Sequence, residues 1–297
     1  MENLIHYFKY FKKGSLKFGL IFFLLSFTII ASHAGAIRDI NQSIEEVKTL
    51  PSSFRFALIG DSRDGDNVYG KLLQAILGRR PNFIIHLGDM IPKPGEKEWQ
   101  HFFNLSRSID IPFFPVVGNH DVGTTPLGEE IYRKQFILPR GRTYYSFFVG
   151  EWFFILLDSE KGKGRIWNDQ LEWLKGILEK SNQHDKWVFL HRPLFLPTDS
   201  FKKGRAMDRF PAERDQLHRL FVNSKVKAVF SGDDHRYDRR EKDGLLYIIT
   251  GGGGAPLHPF KETGGYFHYV WMDVKGGKVK GEAVDLEGRV QDQFVIE

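Results

Sequence analysis

The sequence predicts an α/β fold: a layered β-sandwich flanked by helices, formed as a single domain over residues 54–297. Short apolar runs alternate with stretches whose apolar residues recur at helical spacing. Four further strand-like runs then crowd toward the C-terminus. Alternation followed by clustering is the pattern of helices layered on packed sheets. With 297 residues, 41% of them hydrophobic, the chain can bury a sizeable core. No internal repeat, low-complexity tract or composition shift marks a second domain boundary.

At the N-terminus, Lys9, Lys12, Lys13 and Lys17 precede an apolar run over residues 18–30. Ala34-Gly35-Ala36 then supplies small residues where a signal peptidase would cut. The run is short for a spanning helix, which needs roughly 20 residues. Two readings of residues 1–36 stand: a signal peptide removed on export, or a retained N-terminal membrane anchor. Both imply an exported protein, periplasmic or extracellular. Residues 37–53 read as a polar linker.

Apolar runs over residues 54–59, 83–87, 113–117, 152–157, 187–190 and 228–231 read as buried strands. Residues 68–77 repeat apolar side chains at helical spacing and stop at Gly78. Residues 170–178 place Leu171, Trp173, Leu174, Ile177 and Leu178 largely along one side. Pro211 opens another helix, in the position where proline is best tolerated. The tail adds strands over 245–250, 268–273, 278–284 and 290–296.

Charge and cysteine content exclude several chemistries. The net charge is +5, and residues 1–36 contribute +3 of it, leaving +2 on the remainder. Nucleic acid is therefore not an expected partner, and no aromatic-basic groove is evident. With no cysteine, the chain has no disulfide, thiolate metal site or cysteine nucleophile.

Chemistry-bearing residues follow the strands. Gly60-Asp61, Gly88-Asp89, Gly118-Asn119-His120-Asp121, His191-Arg192-Pro193 and Gly232-Asp233-Asp234-His235 each close an apolar run. Ligands of α/β sheets bind outside the carboxyl ends of strands. One Gly-Asp after a strand is usually a turn, but five such ends in one order are not a chance collection.

That order resembles the calcineurin-like metallophosphoesterases, over about residues 54–256. Residues 157–193 also look like the family's middle section. The resemblance implies a metallophosphoesterase-like catalytic domain that hydrolyses a phosphomonoester or phosphodiester at two metal ions. It places Asp61 and His235 on the first metal, Asp89 between both, and Asn119 and His191 on the second. His120 would serve the leaving group, with Asp121 orienting its imidazole. The chain also resembles the related purple acid phosphatases, but has Pro92 where they carry an iron-binding tyrosine. No strong visible charge-transfer band is therefore expected.

Two departures matter. Arg63 stands where the family commonly has a histidine ligand, and a guanidinium cannot donate a lone pair to a metal. Asp64, Asp66 or water would replace it, while Arg63 either clamps the substrate phosphate or pairs with Asp61 or a neighbouring carboxylate. Asp233 stands where the family usually has another histidine, with Asp234 as the competing assignment. Aspartate is a competent hard ligand, and the oxygen-rich set favours manganese or iron, with zinc also possible. These departures motivate an alternative: a degenerate member that binds a phosphorylated ligand or partner without turnover.

Weaker features remain. Gly251-Gly252-Gly253-Gly254 lacks the ending of a P-loop and reads as a close backbone approach. The long loop over residues 194–210 carries Lys202, Lys203, Arg205 and Arg209, and reads as a lid for an anionic substrate or a solvated loop. His86, His101, His184, His218 and His268 read as structural, and His258 as structural or lining the entrance.

Overall fold

The computed structural model describes residues 38–296, so the leader expected over residues 1–36 lies outside the described residues. The first half of the chain runs β1 (Arg38–Asp39), α1 (Ile40–Lys48), β2 (Phe54–Ile59), α2 (Asp66–Gly78), β3 (Phe83–His86), α3 (Glu96–Leu105) and β4 (Phe113–Pro115). Then come α4 (Asn119–Val122), α5 (Pro126–Gln135), β5 (Phe136–Ile137), β6 (Tyr145–Val149), β7 (Trp152–Leu156), α6 (Asn168–Lys180) and β8 (Asp185–Leu190). The last part holds α7 (Pro211–Asn223), β9 (Val226–Ser231), β10 (Tyr237–Lys242), β11 (Leu245–Thr250), β12 (His268–Lys275), β13 (Lys278–Asp285) and β14 (Val290–Ile296).

Two six-stranded sheets form, ordered β14-β13-β12-β2-β3-β4 and β10-β11-β9-β8-β7-β6. Aromatic rings join them. Phe56 and Phe83, paired in register across β2 and β3, stack at 4.9 Å between ring centres. Phe154 of the other sheet meets both edge-on, at 5.5 and 5.6 Å, and Trp187 lies 5.4 Å from Phe56. Such offset and edge-to-face contacts favour a fixed packing beyond the area they bury. The other face of the second sheet buries Ile155, Val188 and Leu190 with Leu174 and Leu178 of α6 and Leu217 and Phe221 of α7. The layered α/β sandwich expected from alternation is thus present.

Each sheet holds a parallel run: β2-β3-β4 at one end of the first, β7-β8-β9-β11 in the middle of the other. Parallel strands all point their carboxyl ends the same way, and the loops after β2, β3 and β4 of one sheet meet those after β8 and β9 of the other, as in the bond from Asp233 N–H to Asp61 Oδ2.

One expectation is corrected. The supposed linker over residues 37–53 contains β1 and α1. Asp39 caps the helix by accepting from the backbone N–H groups of Asn41 and Gln42, and Ile40, Ile44 and Val47 are buried in the core. Their spacing of four and three residues is a helical face, masked by the polar residues between them. The sequence also gave no warning of β10, whose Tyr-Asp-Arg-Arg-Glu-Lys has the charged character of a protected edge strand.

His268 ties the sheets together near the candidate site. Its Nδ1 donates to the Tyr266 carbonyl at 2.8 Å, and its Nε2 accepts from the Thr250 hydroxyl at 3.0 Å, linking β12 to β11. Burial depresses its pKa from 6.5 to about 4. The unfolded chain takes up this proton as pH falls through 6.5, whereas the folded one resists until about 4. The stability it confers is therefore complete above pH 6.5 and lost between 6.5 and 4, by up to about 3 kcal/mol. Urea unfolding at pH 7 and pH 4.5 should show a clearly smaller acid loss in His268→Gln than in the unaltered chain. Equal losses would clear His268 of the effect.

Candidate metal centre

Three aspartates at strand ends define the centre. Asp61 follows β2, Asp89 follows β3 and Asp233 follows β9, and all are buried. Each has a left-handed backbone, with φ of 59°, 55° and 64°. Aspartate visits that region more readily than bulkier residues, still at a cost of about 1–2 kcal/mol each. Backbone bonds between loops hold them there: Asp61 N–H donates to the Gly88 carbonyl at 3.0 Å and Arg63 N–H to the Asp89 carbonyl at 3.1 Å. Across the sheets, Asp233 N–H donates to Asp61 Oδ2 at 3.0 Å. Two glycines make room. A Cβ at Gly118 would lie 2.2 Å from the Asp89 nitrogen, and one at Gly232 would lie 2.5 Å from Asp61 Oδ2.

Donor atoms converge on His191. Its Nδ1 donates to the Leu87 carbonyl at 2.8 Å, which turns Nε2 inward. Around Nε2 lie Asn119 Oδ1 at 3.2 Å, Asp89 Oδ1 at 3.3 Å and Asp233 Oδ1 at 3.8 Å. Donors bonded to one ion at about 2.0–2.2 Å lie about 3.0–3.5 Å apart, so this quartet is close to a coordination shell. Asp61, Asp89 and His191 also bring ligand atoms within 4.8 Å of one another.

A second group adjoins it. His235 Nδ1 donates to the Pro256 carbonyl at 2.7 Å, and its Nε2 lies 3.6 Å from Asp61 Oδ1. Asp61 Oδ1, His235 Nε2 and Asp233 Oδ2 are buried and have no hydrogen-bond partner. Orphaned buried acceptors of this kind are rare unless an ion, a proton or water serves them. The residues therefore fit metal ions.

The electrostatics agree. Burial, with Asp89 and Asp233 adding to it, raises the Asp61 pKa well above the carboxylate range. Burial works against a charged His191, but Asp89, Asp61 and Asp233 outweigh it and bring the imidazole to about 9. Burial also opposes ionised Asp89, yet His191 and His120 hold its pKa below the usual value. The cluster demands positive charge, which a proton on His191 or an ion can supply.

The departures resolve into specific contacts. Arg63 Nε donates to Asp89 Oδ2 at 3.3 Å and its Nη1 to Asp64 at 2.5 Å, so its partners are Asp89 and Asp64 rather than Asp61. Asp64 is thereby engaged, and the exposed Asp66 pairs with His101 at 2.7 Å, so neither takes the position of the missing ligand. Asp233 faces His191, whereas Asp234 lies 3.3 Å from Arg236.

One assignment needs correction. His120 Nδ1 donates to the Pro92 carbonyl at 2.6 Å, its backbone N–H donates to Asp89 Oδ1 at 2.8 Å, and Nε2 lies 3.9 Å from Asp89 Oδ2. Asp121 does not orient that ring. Its carboxylate instead accepts from the backbone N–H groups of Asp89, Met90, Ile91 and Gly118, at 3.0, 2.8, 3.4 and 2.8 Å. It stitches the loop after β3 to the turn after β4 by serving main-chain amides from both.

Sequence reasoning named Lys202 only as loop charge; its ammonium lies 2.6 Å from Asp233 Oδ1, buried. Nothing in the local sequence could show this, since the two are brought together only by the fold. His258 stacks 5.0 Å from His235, placing it at the rim. Gly253 donates to the Gly60 carbonyl at 2.8 Å, the close approach expected of the glycine run.

These contacts separate a ligand from a scaffold residue. Asp121→Ala should lower metal content although Asp121 touches no ion, because up to four amides lose their acceptor at about 1–3 kcal/mol for each that water does not reach. Elemental analysis of the folded variant checks it. Full metal content with only slower turnover would restore the ring-orienting role.

Comparison with known proteins agrees with this geometry. A family model described as calcineurin-like phosphoesterase matches residues 54–237. The human serine/threonine-protein phosphatase CPPED1 is 32% identical over 202 residues, covering 62% of this chain and 64% of that protein. The chain thus spans just under two thirds of the length of that relative. A probable cyclic nucleotide phosphodiesterase of Psychrobacter arcticus is 26% identical over 215 residues, 67% of this chain and 75% of that one. In fold, a purple acid phosphatase from yellow lupin seeds aligns with a TM-score of 0.69 at 19% identity, over 84% of this chain and 55% of the lupin protein. The family model takes in well over half of the chain and the strand-end residues from Asp61 to His235, and on that match the protein belongs to the calcineurin-like phosphoesterase family.

Proposed function

We propose that this protein hydrolyses a phosphomonoester or phosphodiester at a dinuclear metal centre. The observation that carries the reading is the convergence of Asn119, Asp89 and Asp233 on His191 Nε2, beside the orphaned Asp61 and His235 acceptors. Asp61, Asp89 and His235 would hold the first ion, and Asp89, Asn119, His191 and Asp233 the second. Bound there, two ions supply Lewis acidity toward the phosphoryl oxygens and activation of the attacking water. The preponderance of oxygen donors favours manganese or iron over zinc.

His120 would serve the leaving group. Its Nδ1–H is fixed by Pro92, so any proton it transfers is carried on Nε2, on the side of Asp89. Beside Asn119 a cleft of about 580 Å³ is lined by Thr124, Lys161, Lys163, Arg192 and Arg209. Glu129, Asp158 and Glu160 also line it, and Glu160 pairs with Arg192, so Lys161, Lys163 and Arg209 are the cations that would meet a phosphorylated substrate, such as the phosphoserine or phosphothreonine implied by the name of the human relative. Export to the periplasm or the extracellular space, with or without an N-terminal anchor, is our inference from residues 1–36 alone, and sequencing the N-terminus of the native protein tests it.

A second reading, binding of a phosphorylated partner without turnover, is favoured by Arg63 and Lys202 sitting on two of the ligand carboxylates. Metal analysis combined with hydrolysis of an aryl phosphate separates the two. Two bound ions with turnover support the enzyme; tight phosphate binding without turnover supports the binder.

Two variants test the roles. Asp89→Asn should remain folded while losing metal and nearly all activity, and a fully loaded, active variant would remove Asp89 from the bridge. His120→Asn should keep its metal but slow esters of poor leaving groups by roughly 10²–10⁴-fold, the size of lost acid–base assistance. Esters of acidic phenols, which need little protonation, should lose clearly less. Equal losses across leaving groups would make His120 a positional residue.

A further inference from the structure

The loop over residues 194–210 is a built strap rather than a solvated segment. Ala206 and Met207 are buried at its base, and Arg192 Nη1 donates to the Arg205 carbonyl. Near the tip, Asp199 pairs with Arg236 at 2.8 Å, and Phe201 packs 3.7 Å from the His258 ring, which stacks on His235. Between these anchors the strap turns Lys202 inward. The Nζ of Lys202 lies 2.6 Å from Asp233 Oδ1, the same oxygen that faces His191 Nε2 at 3.8 Å.

We infer that Lys202 is a resident cation of the centre, competing with the second metal ion for Asp233, so that the strap reports whether that ion is bound. This rests on the dinuclear reading above. An ion coordinated to Oδ1 at about 2.1 Å and an ammonium on the same oxygen would lie within about 4 Å of each other, where like charges in a buried site repel strongly. Oδ1 is the Asp233 oxygen that faces His191 Nε2, so an ion shared with His191 meets Lys202 there, while Oδ2 has no hydrogen-bond partner. Entry of the ion therefore displaces Lys202, and with Lys202 the tip between Asp199 and Arg205. The displaced ammonium stays at the mouth of the centre, where an incoming phosphate would meet it.

The test is calorimetric titration of the full chain, freed of metal, with Mn²⁺ in the absence of phosphate, alongside tryptic cleavage at the exposed Lys203 and Arg205. In Lys202→Met the second ion should bind about 5–150-fold more tightly than in the unaltered chain, the ordinary span of coupling between two sites. Lys202→Arg, which keeps the charge, should stay close to the unaltered chain. In the unaltered chain, filling the second site should speed cleavage of the strap, a readout that needs no variant to fold. Unchanged or weaker Mn²⁺ binding in Lys202→Met, or cleavage indifferent to a second bound ion, would overturn the proposal while leaving the dinuclear reading intact. Failure of every form to take up Mn²⁺ would overturn both.

Discussion

Confining three carboxylates in one buried volume is the constraint that organises this protein. Asp61, Asp89 and Asp233 are all withdrawn from water, and their mutual repulsion must be answered by positive charge close by. His191 answers with a raised affinity for a proton, Arg63 with its contact to Asp89, and Lys202 with its contact to Asp233. Truncating one member of such a cluster strands an unpaired charge, which costs far more than the intact contact contributes. The centre therefore behaves as a unit.

The sandwich matters because its two sheets each supply part of that unit. Asp61, Asp89 and Asn119 follow strands of one sheet; His191 and Asp233 follow strands of the other. Their relative placement is set by how the sheets meet, through Phe56, Phe83, Phe154 and Trp187, and by bonds that cross between them near the centre. Asp233 N–H on Asp61 Oδ2 and His268 on Thr250 are two such crossings. A small slip between sheets would separate the donors by more than the tolerance of a coordination shell, so core packing and site geometry are one problem.

What was legible in the sequence follows from these physics. Strand ends announced themselves because five apolar runs in one order each close on carboxylate, amide or imidazole groups, where a single Gly-Asp would be only a turn, and the choice of Asp233 over Asp234 followed from alternation. The helix α1 was hidden because only Ile40, Ile44 and Val47 in a polar stretch carry its buried face. Lys202 could not be paired with Asp233 from sequence, since 31 residues separate them and a loop conformation joins them. Asp121 misled for a related reason: a carboxylate beside a histidine suggests a side-chain partnership, whereas its actual partners are amides that every residue possesses.

The three imidazoles of the centre share one further trait. His120, His191 and His235 each fix Nδ1 on a main-chain carbonyl, those of Pro92, Leu87 and Pro256. A carbonyl is supplied by any amino acid, so the tautomer of each ring is written into the path of the backbone and not into a neighbouring side chain. Substitutions at positions 87, 92 and 256 can then drift in chemical character while every ring continues to present Nε2, provided the local chain path survives. Main-chain anchoring of this sort makes the reactive constellation tolerant of mutation in its surroundings and vulnerable chiefly to insertions and deletions.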